Sequence, residues 1–441
     1  MTLHTWKAAQ ARQQLGQLRR ELERWDDALE ERDHLEPLFQ RSDKVLVVLR
    51  AFLTRVEAAL NGAADLAAIN GVELQLVGIR KVWHYFLDKF RQRDIPELRL
   101  ALKLADELAW ACYKPWIEAA TPAVDKLRPL VHFSTEDSPF AVAREQIFTP
   151  PTMSQKELDN DSLSRLTERL PVSVIGVPWF QVEDPSQAAV IAHEVGHLVE
   201  KDFGLEGALQ QALDAAIPDD TRRRYWRIWR SESFADFHGA LTMGAAYAIA
   251  LTSYLTAAPA TIAAEQASRS SLYPPRHVRL TLVSAVLALK GLELAPPATT
   301  LWHEAYKPAA SLAPFAEDAV RVARAWAELK PPAFSEALGA IPHGPLTDQD
   351  KAADCAERYL DKLSLHTADD LRHLFAGATL ASARDPAGWA AENARGGRGY
   401  LSLIDGARPP FALGPGDDGP ELDDTHLEAS ASDLFDKFLS F

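Results

Sequence analysis

Cysteine is almost missing from this chain: Cys112 and Cys355 are the only two among 441 residues. They lie far apart, and neither has metal-ligand spacing. No disulfide framework can be drawn, so the expectation is a reducing, cytoplasmic setting. The first residues lack the apolar core of a secretory signal, which agrees. Positive charge is in deficit, with a formal net charge of −15, so a nucleic-acid partner is not expected. No repeat of fixed period is evident. One stretch, 239–264, has no charge over a length that could span a bilayer. It is poor in Leu, Ile and Phe and holds Pro259 near its end, so it reads as a buried core helix and not a membrane span. With 47% hydrophobic residues, the chain can bury a sizeable core as two or three domains or one elaborated body.

What is present is concentrated at 191–198, Ile-Ala-His-Glu-Val-Gly-His-Leu. His193 and His197 are four apart, which on a helix stacks both imidazoles on one face. Two neutral imidazoles so placed suit a zinc ion. Glu194 lies one position along, beside the metal position, where a carboxylate can take a proton from water and pass it to a leaving amine. Upstream, Asp184-Pro185-Ser186-Gln187 reads as a helix start, with Asp as cap, Pro first and Gln reaching back. The β-branched run 171–178 reads as a strand before it.

A catalytic zinc site needs a third protein ligand and an open position. Within a helical pattern beginning near Thr221, Ser231-Glu232-Ser233-Phe234-Ala235-Asp236 supplies candidates. Glu232 and Asp236 share a helix face; Glu232 can ligate, and Asp236 can accept the other ring N–H of a ligand histidine.

His-Glu-Val-Gly-His followed by Glu-Ser-Phe-Ala-Asp resembles the gluzincins, zinc peptidases whose third ligand is a Glu from a later helix. The resemblance covers about 170–300. It implies a zincin-like core, zinc as cofactor, His193, His197 and Glu232 as ligands, Glu194 as base, and Asp236 orienting a ligand. The metzincin spacing does not fit, because Glu200 stands where Gly is needed and Phe203 where the third His is needed. Tyr273-Pro-Pro-Arg-His-Val-Arg279 is similar to a His-Pro…Arg motif in the group containing the CAAX prenyl proteases, with Tyr273 where His is usual. Tyr273, His277 or Arg279 can then stabilise an oxyanion. Equally, the segment can simply open a helix with Pro275 in its first turn.

The expected fold is α+β and predominantly helical, a zincin-like core with a small sheet flanked by helical blocks. An N-terminal helical block takes 1–130, with helices at 3–35, 45–60, 74–90 and 96–120 and large aromatics as packing. The metallopeptidase core takes 131–300, with strands at 130–133 and 171–178 and helices at 156–170 and 206–216. A C-terminal helical block takes 301–406, with helices at 314–329, 347–363 and 368–382. An acidic Pro/Gly linker at 407–424 tethers an amphipathic helix at 425–441. The basic stretch 222–230 can hold phosphates or acidic segments, including the protein's own. Its simpler reading is a helix with Arg223, Arg227 and Arg230 facing water and Tyr225, Ile228 and Trp229 in the core.

The function expected is a zinc peptidase acting on a restricted intracellular protein or peptide target. The N-terminal helices or the C-terminal tail are candidates for binding a protein partner. The alternatives are a zinc-braced adaptor without activity and a zinc hydrolase of a nonpeptide amide.

Overall fold

Leucine and tryptophan spaced three and four apart give the first helix one dry face, and Leu15, Leu18, Leu22, Trp25 and Leu29 are all buried along it. That pattern sets the architecture throughout this computed structural model, which describes residues 1–122, 127–143, 172–179, 184–292, 297–341, 343, 349–365, 370–394 and 398–407. The described residues are predominantly helical with one three-stranded sheet. No helix among them is long and apolar enough to cross a membrane. The helix expected at 156–170, the linker from 408 onward and the final helix lie outside the described residues.

The chain divides into two compact units. In the first, Met1–Arg99 holds α1 (Leu3–Glu31), α2 (Phe39–Gly62) and α3 (Leu66–Arg91). Thr2 and Asp65 cap α1 and α3 with their side chains. Trp25 stacks on Phe90 with centroids 5.8 Å apart, and its Nε1 donates to Ser42 Oγ at 2.8 Å. The buried indole N–H is thereby satisfied.

The division falls inside α4 (Pro96–Ala119), and the second unit carries most of the remaining elements. Three strands, β1 (Leu130–Ser134), β2 (Phe140–Val142) and β3 (Val174–Pro178), pair in the order β1-β3-β2, with β3 central and wholly buried. Asp184 caps a 3-10 turn, Pro185–Val190, by accepting from Ser186 N. The turn leads directly into α5 (Ile191–Asp202). Next come α6 (Glu206–Ala216), α7 (Asp220–Met243), α8 (Ala245–Leu255) and α9 (Pro259–Ala263). Beyond these lie α10 (Arg276–Leu289), α11 (Pro297–Ala305) and α12 (Ala313–Glu328). The described chain closes with α13 (Gln349–Leu360), α14 (Leu371–Arg384), α15 (Pro386–Ala394) and α16 (Arg398–Ala407).

Two glycines decide how the helices around the histidine motif approach. A Cβ at Gly196 would lie 2.8 Å from Ala235 Cα, so α5 and α7 meet nearly backbone to backbone. A Cβ at Gly239 would lie 2.6 Å from the Tyr247 ring. The uncharged stretch beginning at 239 departs from the single continuous helix expected for it. Gly244 adopts φ 58 and ψ −136, which ends α7, and α8 starts at the next residue in contact with α7. Only a residue without Cβ takes that conformation readily. The stretch is buried through Thr252, as expected, whereas 253–264 is mostly exposed, and beyond the break Tyr247 packs over Gly239.

The basic stretch on α7 turns to the protein's own acids. Arg222 pairs with Asp318, Arg227 with Asp214, and Arg230 with both Glu200 and Glu206. Trp226 and Trp229 are fully buried, whereas Tyr225 and Ile228 are half-buried. Arg230 is therefore an interior-facing residue and not one of the water-facing three.

Candidate metal centre

The close approach at Gly196 brings the paired histidines of α5 against the acidic pair of α7. His193 Nε2 lies 3.2 Å from Glu232 Oε2, and His197 Nε2 lies 3.7 Å from the same oxygen. The two rings are nearly perpendicular, with centroids 4.9 Å apart. Among the described residues these three side chains form the one group of His, Cys, Asp or Glu able to share a metal ion, with ligand atoms all within 4.8 Å of one another.

Each histidine is held by its other nitrogen. His193 Nδ1 lies 3.1 Å from Asp236 Oδ1 and 3.0 Å from Tyr247 Oη. Tyr247 donates to Asp236 Oδ1 at 2.6 Å, and Arg279 donates to both Asp236 oxygens at 2.7 and 2.8 Å. Asp236 is fully buried and accepts from every side. Burial works against its charge, yet the Arg279 guanidinium holds its carboxyl well below the usual range. His197 Nδ1 lies 3.1 Å from Ser231 Oγ, whose proton goes to Glu200 Oε2. Glu200, also fully buried, accepts from Arg230 Nε at 3.0 Å.

These contacts fix both tautomers. Asp236 is an ionised carboxylate and can only accept, while Tyr247 spends its proton on it, so His193 carries hydrogen on Nδ1. Ser231 has one proton and gives it to Glu200, so His197 also carries hydrogen on Nδ1. Both Nε2 lone pairs then face the Glu232 carboxylate. Two lone pairs and an anion converging in a largely buried space repel one another unless a cation lies between them. Protons can serve: burial disfavours a charged His193, but Asp236 and Glu232 outweigh it and push its pKa up to about 10. The same two histidines hold Glu232 well below the ordinary carboxylate range despite its burial. The donor set, two imidazoles and a carboxylate, is one that suits zinc.

Glu194 is 5% exposed and stands in the field of His193, His197, Glu232 and Arg279. Burial raises its pKa, the histidines and Arg279 pull it down, and Glu232 adds to the rise. A carboxylate in that balance can both take and return a proton.

The three residues of the 273–279 segment go to different places. Arg279 is buried, and its guanidinium is committed to Asp236. His277 packs edge-on to Trp302 with centroids 4.6 Å apart, and burial lowers its pKa to about 4. Tyr273 is half exposed, and its ring lies 5.4 Å from the Arg279 guanidinium. Burial raises its pKa to about 12, and the nearby charge of Glu232 adds to this. Tyr273 is thus the one of the three with a free face beside the cluster. The segment also opens a helix, since Pro275 immediately precedes α10 and Glu265 accepts from Arg276 N at 2.9 Å.

Sequence reasoning passed over Tyr247, Ser231 and Glu200 as parts of the site. Each had a signal. Tyr247 is a phenol inside an uncharged run, and a buried hydroxyl needs a partner. Glu200 falls three residues after His197, on the same face of α5. Ser231 directly precedes the acidic ligand candidate. No protein family, curated protein or solved structure matches the chain.

Proposed function

We propose that this chain is a zinc-dependent peptidase built on a zincin-like core, with His193, His197 and Glu232 holding the metal. The observation that carries the reading is the convergence of His193 Nε2 and His197 Nε2 on one Glu232 oxygen, at 3.2 and 3.7 Å, a donor set that suits a bound cation. Three protein ligands leave a position open, which favours a catalytic site over a structural one. Zinc, when bound, supplies a Lewis acid that activates water and polarises a carbonyl.

The protein's own residues do the rest. Glu194 takes a proton from the attacking water and returns it to the departing nitrogen. Asp236 and Ser231 keep each imidazole in the tautomer whose lone pair faces Glu232. Arg279 keeps Asp236 charged. Tyr273, half exposed with its ring beside Arg279, would donate its hydroxyl proton to an oxyanion. The substrate class is a peptide or protein.

The test pairs metal content with hydrolysis of a peptide mixture. Wild type is expected to hold one zinc per chain, and Glu194→Gln to keep the zinc and lose cleavage. Full cleavage by Glu194→Gln would overturn the mechanism. A wild type that takes up no zinc would overturn the reading itself.

A further inference from the structure

The contacts of His197 form a chain that reaches beyond the candidate ligands. Its Nδ1 meets Ser231 Oγ at 3.1 Å, Ser231 donates to Glu200 Oε2, and Arg230 holds the other Glu200 oxygen. Glu200 has no exposed surface, and Arg230 also reaches Glu206 at 2.8 Å. A buried carboxylate is costly unless its charge is paired and its lone pairs are filled. Here the guanidinium supplies the charge and the hydroxyl fills a lone pair. The arrangement is local in sequence at both ends. Glu200 lies one turn beyond His197 on α5, and Arg230-Ser231-Glu232 places two links of the chain and a ligand candidate on consecutive residues of α7.

We infer that Ser231 and Glu200 are positioning residues for His197: the carboxylate, acting through the hydroxyl, fixes the tautomer and angle of that imidazole and so sets the metal affinity of the site. The inference rests on the zinc reading above. Its physical basis is directional. Without Ser231, His197 Nδ1 loses its acceptor, the ring is free to rotate about its side-chain bonds, and the Nε2 lone pair is no longer held toward Glu232. His193, fixed by Asp236 and Tyr247, is untouched. The defect is therefore in one ligand, which a general loss of folding would not mimic.

The experiment uses the full chain. Zinc affinity is measured by competition with a chromogenic chelator, and cobalt(II) is substituted to read the ligand field by visible absorption. Ser231→Ala is expected to weaken zinc by roughly 10–100-fold and to shift the cobalt bands, the range typical for loss of a group that orients a metal ligand. Ser231→Thr, which keeps the hydroxyl, is expected to restore both. Wild-type affinity and an unchanged cobalt spectrum in Ser231→Ala would overturn the inference. Should Ser231→Ala fail to fold, Glu200→Gln reads the same link: weaker zinc supports it, and wild-type affinity overturns it. The two failures are distinguishable. No zinc in wild type removes the peptidase reading and the anchor together. Zinc that is lost in His193→Ala but unaffected in Ser231→Ala leaves the reading standing and removes the anchor alone.

Discussion

His193 and His197 sit one helical turn apart and face the same Glu232 oxygen, yet they are held by different means. His193 meets a carboxylate directly, and that carboxylate is fully buried beneath a two-pronged guanidinium and a phenol. His197 meets a neutral hydroxyl, with its carboxylate one bond further away and an arginine shared between two acids. In both cases an imidazole N–H ends on an anion balanced by an arginine. The direct version places more charge in less water. It should orient its histidine more firmly, and it should be far more costly to lose.

The largest expected effect belongs to Asp236→Asn. The substitution keeps the shape but removes the charge that balances Arg279 in a buried position. Breaking one partner of a buried ion pair costs about 3–5 kcal/mol. The amide can also turn its NH₂ toward His193 Nδ1, where an acceptor is needed. Urea unfolding should show the loss of stability, and chelator competition should show zinc weakened more than in Ser231→Ala. Equal effects in the two variants would erase the proposed difference between the anchors.

Tyr247→Phe is a milder cut on the same side. It removes the hydroxyl that donates to Asp236 at 2.6 Å, while Arg279 and His193 remain. The aromatic ring still fills the space that Gly239 leaves open. A hydrogen bond to a charged group is worth about 1.5–3 kcal/mol, and removing its donor leaves no orphaned N–H. The unfolding free energy should fall by an amount in that range, and zinc affinity should fall less than in Asp236→Asn. A loss of zinc as large as that of Asp236→Asn would mean that the phenol, and not the carboxylate, orients His193.

The contrast also explains what could be read from the sequence. The candidate ligands, their base and the Asp236 link come from spacing within single helices, since residues four apart share a face. The helical character and the small sheet come from hydrophobic period and β-branched runs. The features that were not legible depend on contacts between elements. Tyr247 reaches the site because the helix breaks at Gly244, and no periodicity announces where the next helix lands. The pairing of Arg279 with Asp236 and the placement of His277 against Trp302 are likewise settled by packing between helices. The helix bounds moved by a few residues: α14 starts at Leu371 behind an Asp370 cap, and α2 starts at Phe39, ahead of the apolar run from Val45.

The smallest expected effect tests whether the basic stretch on α7 is one feature or two. Arg227 and Arg230 are neighbours one turn apart, and both pair with acids of the protein. Arg227 stands half exposed, and its bonds to Asp214 at 3.1 and 2.9 Å are open to water and salt. Exposed pairs of this kind add little, because solvent screens the charges and two long side chains lose their freedom. Arg230 instead holds a buried carboxylate that is linked through Ser231 to His197. Arg227→Ala should therefore leave zinc affinity, the cobalt spectrum and the unfolding midpoint at wild-type values, whereas Arg230→Ala should weaken zinc because Glu200 loses its counter-charge. Parallel losses in both variants, measured by the same chelator competition, would show that the stretch acts on the site through its overall positive field. A loss confined to Arg230→Ala would show that it acts through one hydrogen-bonded chain, with the rest of its charge serving the surface.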